Sequence, residues 1–145
     1  MFNIRDADAQ DFSAILKLMK NELGYPDLIE DEAFKRLEYF KNSNDWATFV
    51  ASIDDQIVGF IGIMKDMTYS IEGYYSQIMA LAVSNNARRK GVGAALVKKA
   101  EEWSLSNGIT DIGVNCNIRR LDAHKFYETL GYTRKSFSFS KILGK

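Results

Sequence analysis

The sequence has little of what would tie the protein to a disulfide framework, a membrane or nucleic acid. Its one cysteine, Cys116, excludes an internal disulfide and a cysteine-cluster metal site, and we expect no metal. No apolar run approaches the ~20 residues that a membrane span needs, and the opening MFNIRDADAQ shows no apolar signal region. Lys plus Arg number 19, as do Asp plus Glu, so net charge does not draw the chain to nucleic acid. These absences predict a soluble, cytoplasmic protein.

The 145 residues, 46% of them hydrophobic, are enough for one domain with a real core. No repeat or linker divides them, so we expect a single domain over residues 1–145. Apolar periodicity predicts ten elements in the order β-α-α-β-β-β-α-β-α-β. They are a strand at 2–5, a helix that Asp8 begins and Gly24 ends, a helix at 31–41, strands at 46–53, 56–64 and 78–83, a helix at 93–106, a strand at 109–114, a helix ending at Gly131 and a strand at 136–142.

This order indicates the fold class. The early strands follow one another closely enough to be antiparallel, and a helical crossover separates the later ones. The sequence therefore predicts an α/β protein with a central mixed, mostly antiparallel sheet and helices on both faces.

The segment that carries the most chemical information is MALAVSNNARRKGVG, residues 79–93. In it a buried strand leads through a basic loop to Gly91 and Gly93 and then to a helix. Glycine allows close backbone approach, and a helix N-terminus presents free N–H groups and a positive dipole. This is suited to a pyrophosphate, with Arg88, Arg89 and Lys90 adding charge. The alternative is an ordinary tight turn beside a solvated basic surface.

Two common nucleotide sites do not match this segment. A P-loop needs Lys and then Ser or Thr after its second glycine, whereas Ala94 follows Gly93. A dinucleotide fingerprint needs a third small residue where this chain has Leu96. What remains is Arg-x-x-Gly-x-Gly, formed by Arg88, Gly91 and Gly93.

This motif, after a buried strand, resembles the acetyl-CoA pyrophosphate loop of the GNAT family of N-acetyltransferases. The segment AHKFYETLGY, residues 123–132, resembles a second signature of that family. The order of elements is also the family's, so the resemblance covers the whole chain. Within the family, RRLDAHKFYETLGY followed by SFSFSK is most similar to the branch of the aminoalkylphosphonate N-acetyltransferases, although only the C-terminal third carries this likeness.

The resemblance implies an acyltransferase that moves acetyl directly from acetyl-CoA, its cosubstrate, to a primary amine of a small molecule. Strand backbone would hold the pantetheine arm, and the loop with the helix start would hold the pyrophosphate. The residues implied in acetyl-CoA binding are Leu81, Ala82, Val83, Arg88, Arg89, Lys90, Gly91, Val92, Gly93 and Ala94.

The resemblance also implies a catalytic tyrosine. Tyr127 matches the family tyrosine that lies near the thioester sulfur and protonates it, although an apolar helix face could also make it a core residue. Many relatives carry a glutamate base on the strand before the loop, where this chain has Ala80. The general base therefore stays open between Glu72, Tyr75, His124 and solvent.

The loop GYPDLIED, residues 24–31, corresponds to a segment that helps form the acceptor pocket in this family. Its acidic residues favour a cationic acceptor, whereas a phosphonate would prefer Arg or Lys. The same acids could instead serve only the N-terminus of the second helix. We expect Tyr25 and Glu72 to contact the acceptor, whose identity the sequence leaves open.

Two other functions stay open. One is a peptide or protein N-acetyltransferase, which would need an open groove. The other is a non-catalytic sensor that binds acetyl-CoA. This function stays possible because Ala80 stands where many relatives carry the glutamate base. The expected partner is a small-molecule amine, with no nucleic acid and no membrane. The strand with Phe137 and Phe139 could lie at the edge of a homodimer or fold against its own sheet.

Overall fold

The computed structural model describes residues 1–116 and 119–144. The chain packs as two compact units, Met1–Gly113 and Val114–Lys145. Among the described residues, no helix combines the length and the apolar character that crossing a bilayer requires. The strands are β1 (Asn3–Asp6), β2 (Trp46–Ile53), β3 (Gln56–Asp66), β4 (Tyr75–Val83) and β5 (Ile112–Val114), and the helices are α1 (Phe12–Glu22), α2 (Glu30–Asn42), α3 (Val92–Ser106) and α4 (Leu121–Thr129).

The strands form a mixed five-stranded sheet in the order β1-β2-β3-β4-β5. The pairs β1–β2, β2–β3 and β3–β4 are antiparallel. A two-residue turn joins β2 to β3, and both of its residues, Asp54 and Asp55, have positive φ, at 50° and 65°. Such turns follow the right-handed twist of the strands and accept aspartate. The predicted antiparallel arrangement of the early strands and the predicted α/β class are confirmed.

Helices cover both faces of the sheet within residues 1–113. On one face, Val50, Phe60 and Ala82 lie opposite one another on β2, β3 and β4 and join a core with α1 and α2. On the other face α3 packs on the strands through Val92 and Leu96, which are 1% and 0% exposed. Because successive side chains along a strand point to opposite faces, apolar residues pack against helices on both faces of the sheet. Neither face is left fully exposed to solvent.

A bulge interrupts β4. Gly62 of β3 lies opposite Ala80, but the next β3 residue, Ile63, lies opposite Ile78, which leaves Met79 unmatched. Met79 is 51% exposed, so the strand that the sequence predicts to be buried is open to solvent at this position. An extra residue in one strand bends it and increases its local twist. The bulge thus separates the start of β4 from residues 80–83.

The predicted strand at 136–142 is wrong. These residues form no strand, and the side chains of Phe137 and Phe139 are 76% and 93% exposed. Alternation alone gives a segment one apolar face, but a strand also needs a neighbour to pair its N–H and C=O groups. No backbone pairing involves this segment in the part of the chain that the structure describes.

Candidate active site

Backbone conformation defines the loop before α3. Gly91 is the N-cap of α3 and adopts the left-handed conformation, with φ 82° and ψ 8°. Arg89 also has a positive φ, 66°, two residues earlier. Apart from its chain neighbours, no atom of the described residues lies within 4 Å of where a Cβ at Gly91 would stand, so glycine is needed there for its backbone conformation and not for lack of space.

This conformation leaves the first turn of α3 open to an anion. The Ala95 N–H donates to the Gly91 carbonyl at 3.1 Å and is the first helical hydrogen bond. The N–H groups of residues 92–94 precede it, and within the described residues no side chain caps them. Arg89 and Lys90 are exposed beside them. Unbonded N–H groups, a positive helix end and two cations fit a pyrophosphate.

Close packing fixes the start of α3 against the sheet. A Cβ at Gly59 on β3 would lie 3.0 Å from the Ala82 carbonyl oxygen, 3.2 Å from Leu96 Cδ1 and 3.3 Å from Val92 Cγ1. Any side chain at position 59 would require the neighbouring atoms of β4 and α3 to move by a few tenths of an ångström. Gly59 therefore belongs to the site, and sequence reasoning missed it because only the fold brings these residues together.

An ion pair ties the loop to the end of α1. Arg88 Nη2 donates to Glu22 Oε1 at 2.7 Å, and the backbone N–H of Asn85 donates to Glu22 Oε2 at 3.3 Å. The guanidinium of Arg88, which we expected beside the pyrophosphate, is thus engaged by a carboxylate. Glu22 was also missed, since it stands 66 residues from Arg88 and no local pattern marks it.

The strand that leads into the loop is paired along one edge. Residues 81–83 lie opposite residues 59–61 of β3. On the other edge of β4, the Ser76 N–H donates to the Asp111 carbonyl at 2.8 Å, before the bulge. Ala80 is half-buried and carries no titratable group.

Tyr127 is a buried phenol within the second unit. Its residue is 8% exposed, and its ring meets Phe126 and Tyr132 edge-on at centroid distances of 5.0 and 5.6 Å. Burial, with a further contribution from the nearby Cys116 and an opposing one from Arg120, raises the pKa of Tyr127 to about 12. At neutral pH the phenol is therefore a hydrogen-bond donor.

The residues predicted at the acceptor are exposed and separate. Tyr25 is 54% exposed and Glu72 is also exposed, and no hydrogen bond or ion pair among the described residues joins them. Glu30, one of the acids of the 24–31 loop, pairs with Lys20 at 3.2 Å. The acidic character of the loop thus rests on its two exposed aspartates, Asp27 and Asp31.

The open candidates for the general base also differ in exposure. Glu72 is exposed, Tyr75 is half-buried at the start of β4, and His124 is half-buried in α4. Exposure alone selects none of them.

Comparison with known proteins identifies relatives over most of the chain. The family model described as the acetyltransferase (GNAT) family matches residues 12–132. The chain is 28% identical to the aminoalkylphosphonate N-acetyltransferase of Salmonella typhimurium, over 97% of this chain and 90% of that protein. It is 33% identical to N-alpha-acetyltransferase 30 of Xenopus laevis over 81% of this chain, but it spans only 42% of that protein.

Solved structures agree with the fold. An aminoglycoside N-acetyltransferase, AAC(6')-Iy in complex with CoA, superposes with a TM-score of 0.87 at 17% identity, covering 99% of this chain and 95% of that one. At this identity the likeness concerns the fold alone. The residues that the family model matches, 12–132, include every helix and strand from α1 to α4.

Proposed function

The chain belongs to the acetyltransferase (GNAT) family and is an acyltransferase, and from that premise we propose that it transfers the acetyl group of acetyl-CoA directly to a primary amine of a small molecule. The observation that carries the proposal is the open first turn of α3 behind the left-handed Gly91, with Arg89 and Lys90 exposed beside it. The family match runs through both compact units, which supports one acetyltransferase domain over residues 1–145.

Acetyl-CoA would be held mainly by backbone groups. The N–H groups of residues 91–94 would bind the pyrophosphate, Arg89 and Lys90 would add charge, and the backbone of residues 81–83 would hold the pantetheine arm. When bound, acetyl-CoA supplies an activated thioester. The CoA complex of a structural neighbour supports this use of the fold.

In the reaction, the amine nitrogen forms a bond to the thioester carbon, the C–S bond breaks, and the amine loses a proton. The departing sulfur needs stabilisation. Because burial raises its pKa to about 12, Tyr127 keeps its proton at neutral pH and can donate a hydrogen bond. We therefore assign Tyr127 the role of a hydrogen-bond donor to the sulfur as negative charge develops there.

The amine must be unprotonated to attack, and Ala80 supplies no base. We infer that the unprotonated fraction of the amine reacts, so kcat/KM should rise with pH along the pKa of the amine itself. A plateau at lower pH would instead indicate a base on the protein, and Glu72, Tyr75 and His124 are the residues to replace in that case.

We propose a cationic acceptor held by Tyr25 and Glu72. The exposed Asp27 and Asp31 support it. The relation to an aminoalkylphosphonate enzyme favours a zwitterionic acceptor instead. The two kinds of acceptor differ in the group at the end away from the reacting amine. Carboxylates would attract an ammonium group there and would repel a phosphonate.

The test is thiol release from acetyl-CoA with a panel of aminoalkylphosphonates, polyamines, aminoglycosides, amino acids and lysine peptides. We expect turnover with polyamines or aminoglycosides and a rise in the acceptor KM on replacing Glu72 with Gln. Turnover confined to phosphonates would overturn the cationic assignment and leave the reaction intact. Acetyl-CoA binding without turnover on any amine would favour the sensor.

A peptide acceptor is the second candidate, because N-alpha-acetyltransferase 30 is 33% identical over residues that cover 81% of the chain. It requires a peptide N-terminus to be acetylated faster than free amino acids and polyamines. The peptides in the panel decide this directly, and mass spectrometry identifies which nitrogen carries the acetyl group.

A further inference from the structure

The end of α1 contacts two segments of the proposed site, and two side chains that lie two residues apart on the helix make the contacts. Glu22 accepts hydrogen bonds from Arg88 and from the backbone of Asn85, in the loop before α3. Lys20 pairs with Glu30 at the start of α2. The segment between α1 and α2, which carries Tyr25, is therefore anchored at its base, and the acetyl-CoA loop is anchored beside it.

The Glu22 contact is better protected than an ordinary surface ion pair. Its carboxylate side chain is 15% exposed, whereas that of Arg88 is 55% exposed. One oxygen binds the guanidinium and the other binds a backbone N–H, so the carboxylate bridges two points of one loop. Charge-assisted hydrogen bonds with such geometry stabilise more than an isolated exposed pair does.

The loop needs such support because its backbone is strained. Arg89 holds a positive φ of 66°, which costs a non-glycine residue free energy, and it directly follows Arg88. Holding Arg88 in place on one side, with Gly91 on the other, limits how far residues 89 and 90 can relax. The first turn of α3, whose N–H groups have no side-chain cap among the described residues, begins directly after this loop.

We propose that Glu22 is a positioning residue for acetyl-CoA, which acts through Arg88 and Asn85 to hold the pyrophosphate loop in its binding conformation. This inference rests on the proposed function. In it Arg88 contributes by fixing the loop, while backbone N–H groups, Arg89 and Lys90 contact the phosphates. Glu22 itself touches neither acetyl-CoA nor the amine.

The experiment measures the Kd of CoA by calorimetry, together with kcat at saturating acetyl-CoA. Glu22→Leu should raise the Kd about tenfold and Glu22→Gln about threefold, because glutamine keeps an acceptor for the Asn85 N–H but loses the charge. In both variants kcat should stay unchanged. Lys20→Met, which removes the other ion pair of α1, is the matched control and should leave the Kd as it is.

Charge exchange separates positioning from direct phosphate contact. If Arg88 acts only through Glu22, the double variant Glu22→Arg with Arg88→Glu should bind CoA more tightly than either single variant. If Arg88 contacts the phosphate, the double variant should bind at least as weakly as Arg88→Glu alone, which would overturn the inference. Circular dichroism and thermal unfolding of each variant without CoA verify that it is folded.

The inference and the proposed function fail differently. Tight CoA binding and turnover by the unmodified chain, with Glu22→Leu unchanged in Kd, would refute the positioning role alone. No CoA binding by the unmodified chain would refute the proposed function itself.

Discussion

The start of α3 and the surroundings of Tyr127 differ in which atoms carry the proposed role. At α3 backbone N–H groups would bind the pyrophosphate under the proposed function, and the side chains of Arg89 and Lys90 are exposed. Around Tyr127 a single phenol O–H is the functional group, on a ring that is buried and packed against aromatic neighbours. The first region should therefore respond to changes in backbone conformation, and the second to the loss of one atom.

The largest expected effect concerns that one atom. Replacing Tyr127 with Phe removes the O–H and keeps the ring, so the packing is retained. We expect kcat to fall about a hundredfold, the typical cost of one hydrogen-bond donor to developing charge, while the Kd of CoA stays within twofold. Steady-state kinetics and calorimetry measure the two quantities.

Tyr39→Phe is the control for this variant, because Tyr39 is 66% exposed on α2 and has no assigned role. A Tyr127→Phe variant with full turnover would show that Tyr127 is a core residue only. If neither the unmodified chain nor Tyr127→Phe showed turnover, the protein would be the acetyl-CoA sensor.

The second effect concerns backbone conformation. Gly91→Val places a β-branched residue at φ 82°, where the left-handed conformation costs about 1–2 kcal/mol, so the loop should relax and misdirect its N–H groups. We expect the Kd of CoA to rise about tenfold to thirtyfold with kcat at saturation nearly unchanged.

The other end of α3 offers a matched control. Gly108 also has a positive φ, 74°, and, apart from its chain neighbours, no atom in the part of the chain that the structure describes lies within 4 Å of its Cβ position. Gly108→Val should carry a similar cost in the free energy of unfolding and leave the Kd of CoA unaltered. Equal loss of CoA binding in both variants would mean that general destabilisation, not the loop, is responsible.

The same difference between the two regions explains what the sequence could predict. The loop before α3 could be singled out as a candidate because a glycine, a helix start and basic residues are close together in the chain, and their backbone consequences are local. Glu22 and Gly59 were not found, since their roles depend on contacts across the fold. Arg88 shows the limit most clearly: its position was predicted, but its partner was not.

The fold was predictable for a similar reason, and its errors have physical causes. Hydrophobic periodicity located α1 to α4 and β1 to β5, because each buries an apolar stripe or face. The tail with Phe137 and Phe139 has the alternation of a strand but no neighbouring strand among the described residues to pair with. The bulge at Met79 depends on the register with β3, which no single strand encodes.

A smaller effect comes from the ionisation of Tyr127. The ordinary pKa is 10.0, whereas burial raises the pKa of Tyr127 to about 12 in the folded chain. The contribution of the protonated Tyr127 to the stability of the folded chain is fully present below about pH 10. It is lost as the pH rises through about 12, because the phenol ionises at a lower pH in the unfolded chain than in the folded one. Relative to Tyr127→Phe, the free energy of unfolding should fall by about 1.4 kcal/mol near pH 11.

Denaturant unfolding of the two proteins near pH 8 and near pH 11 measures this difference. No change in the difference between the two pH values would mean that the phenol is solvated in the folded chain. That result would also weaken its assignment as a donor in a dry site.

The smallest effect concerns the exposed cations beside α3. Arg89→Ala and Lys90→Ala each remove one solvated charge and should raise the Kd of CoA only about threefold at low salt. This rise in Kd should become smaller when added salt brings the Debye length below ~10 Å. The weaker CoA binding of Gly91→Val should persist at every salt concentration. Calorimetry across a salt series measures both. If Arg89→Ala weakened CoA binding more than Gly91→Val did, side-chain charge and not backbone geometry would carry the site, and the difference between the two regions would disappear.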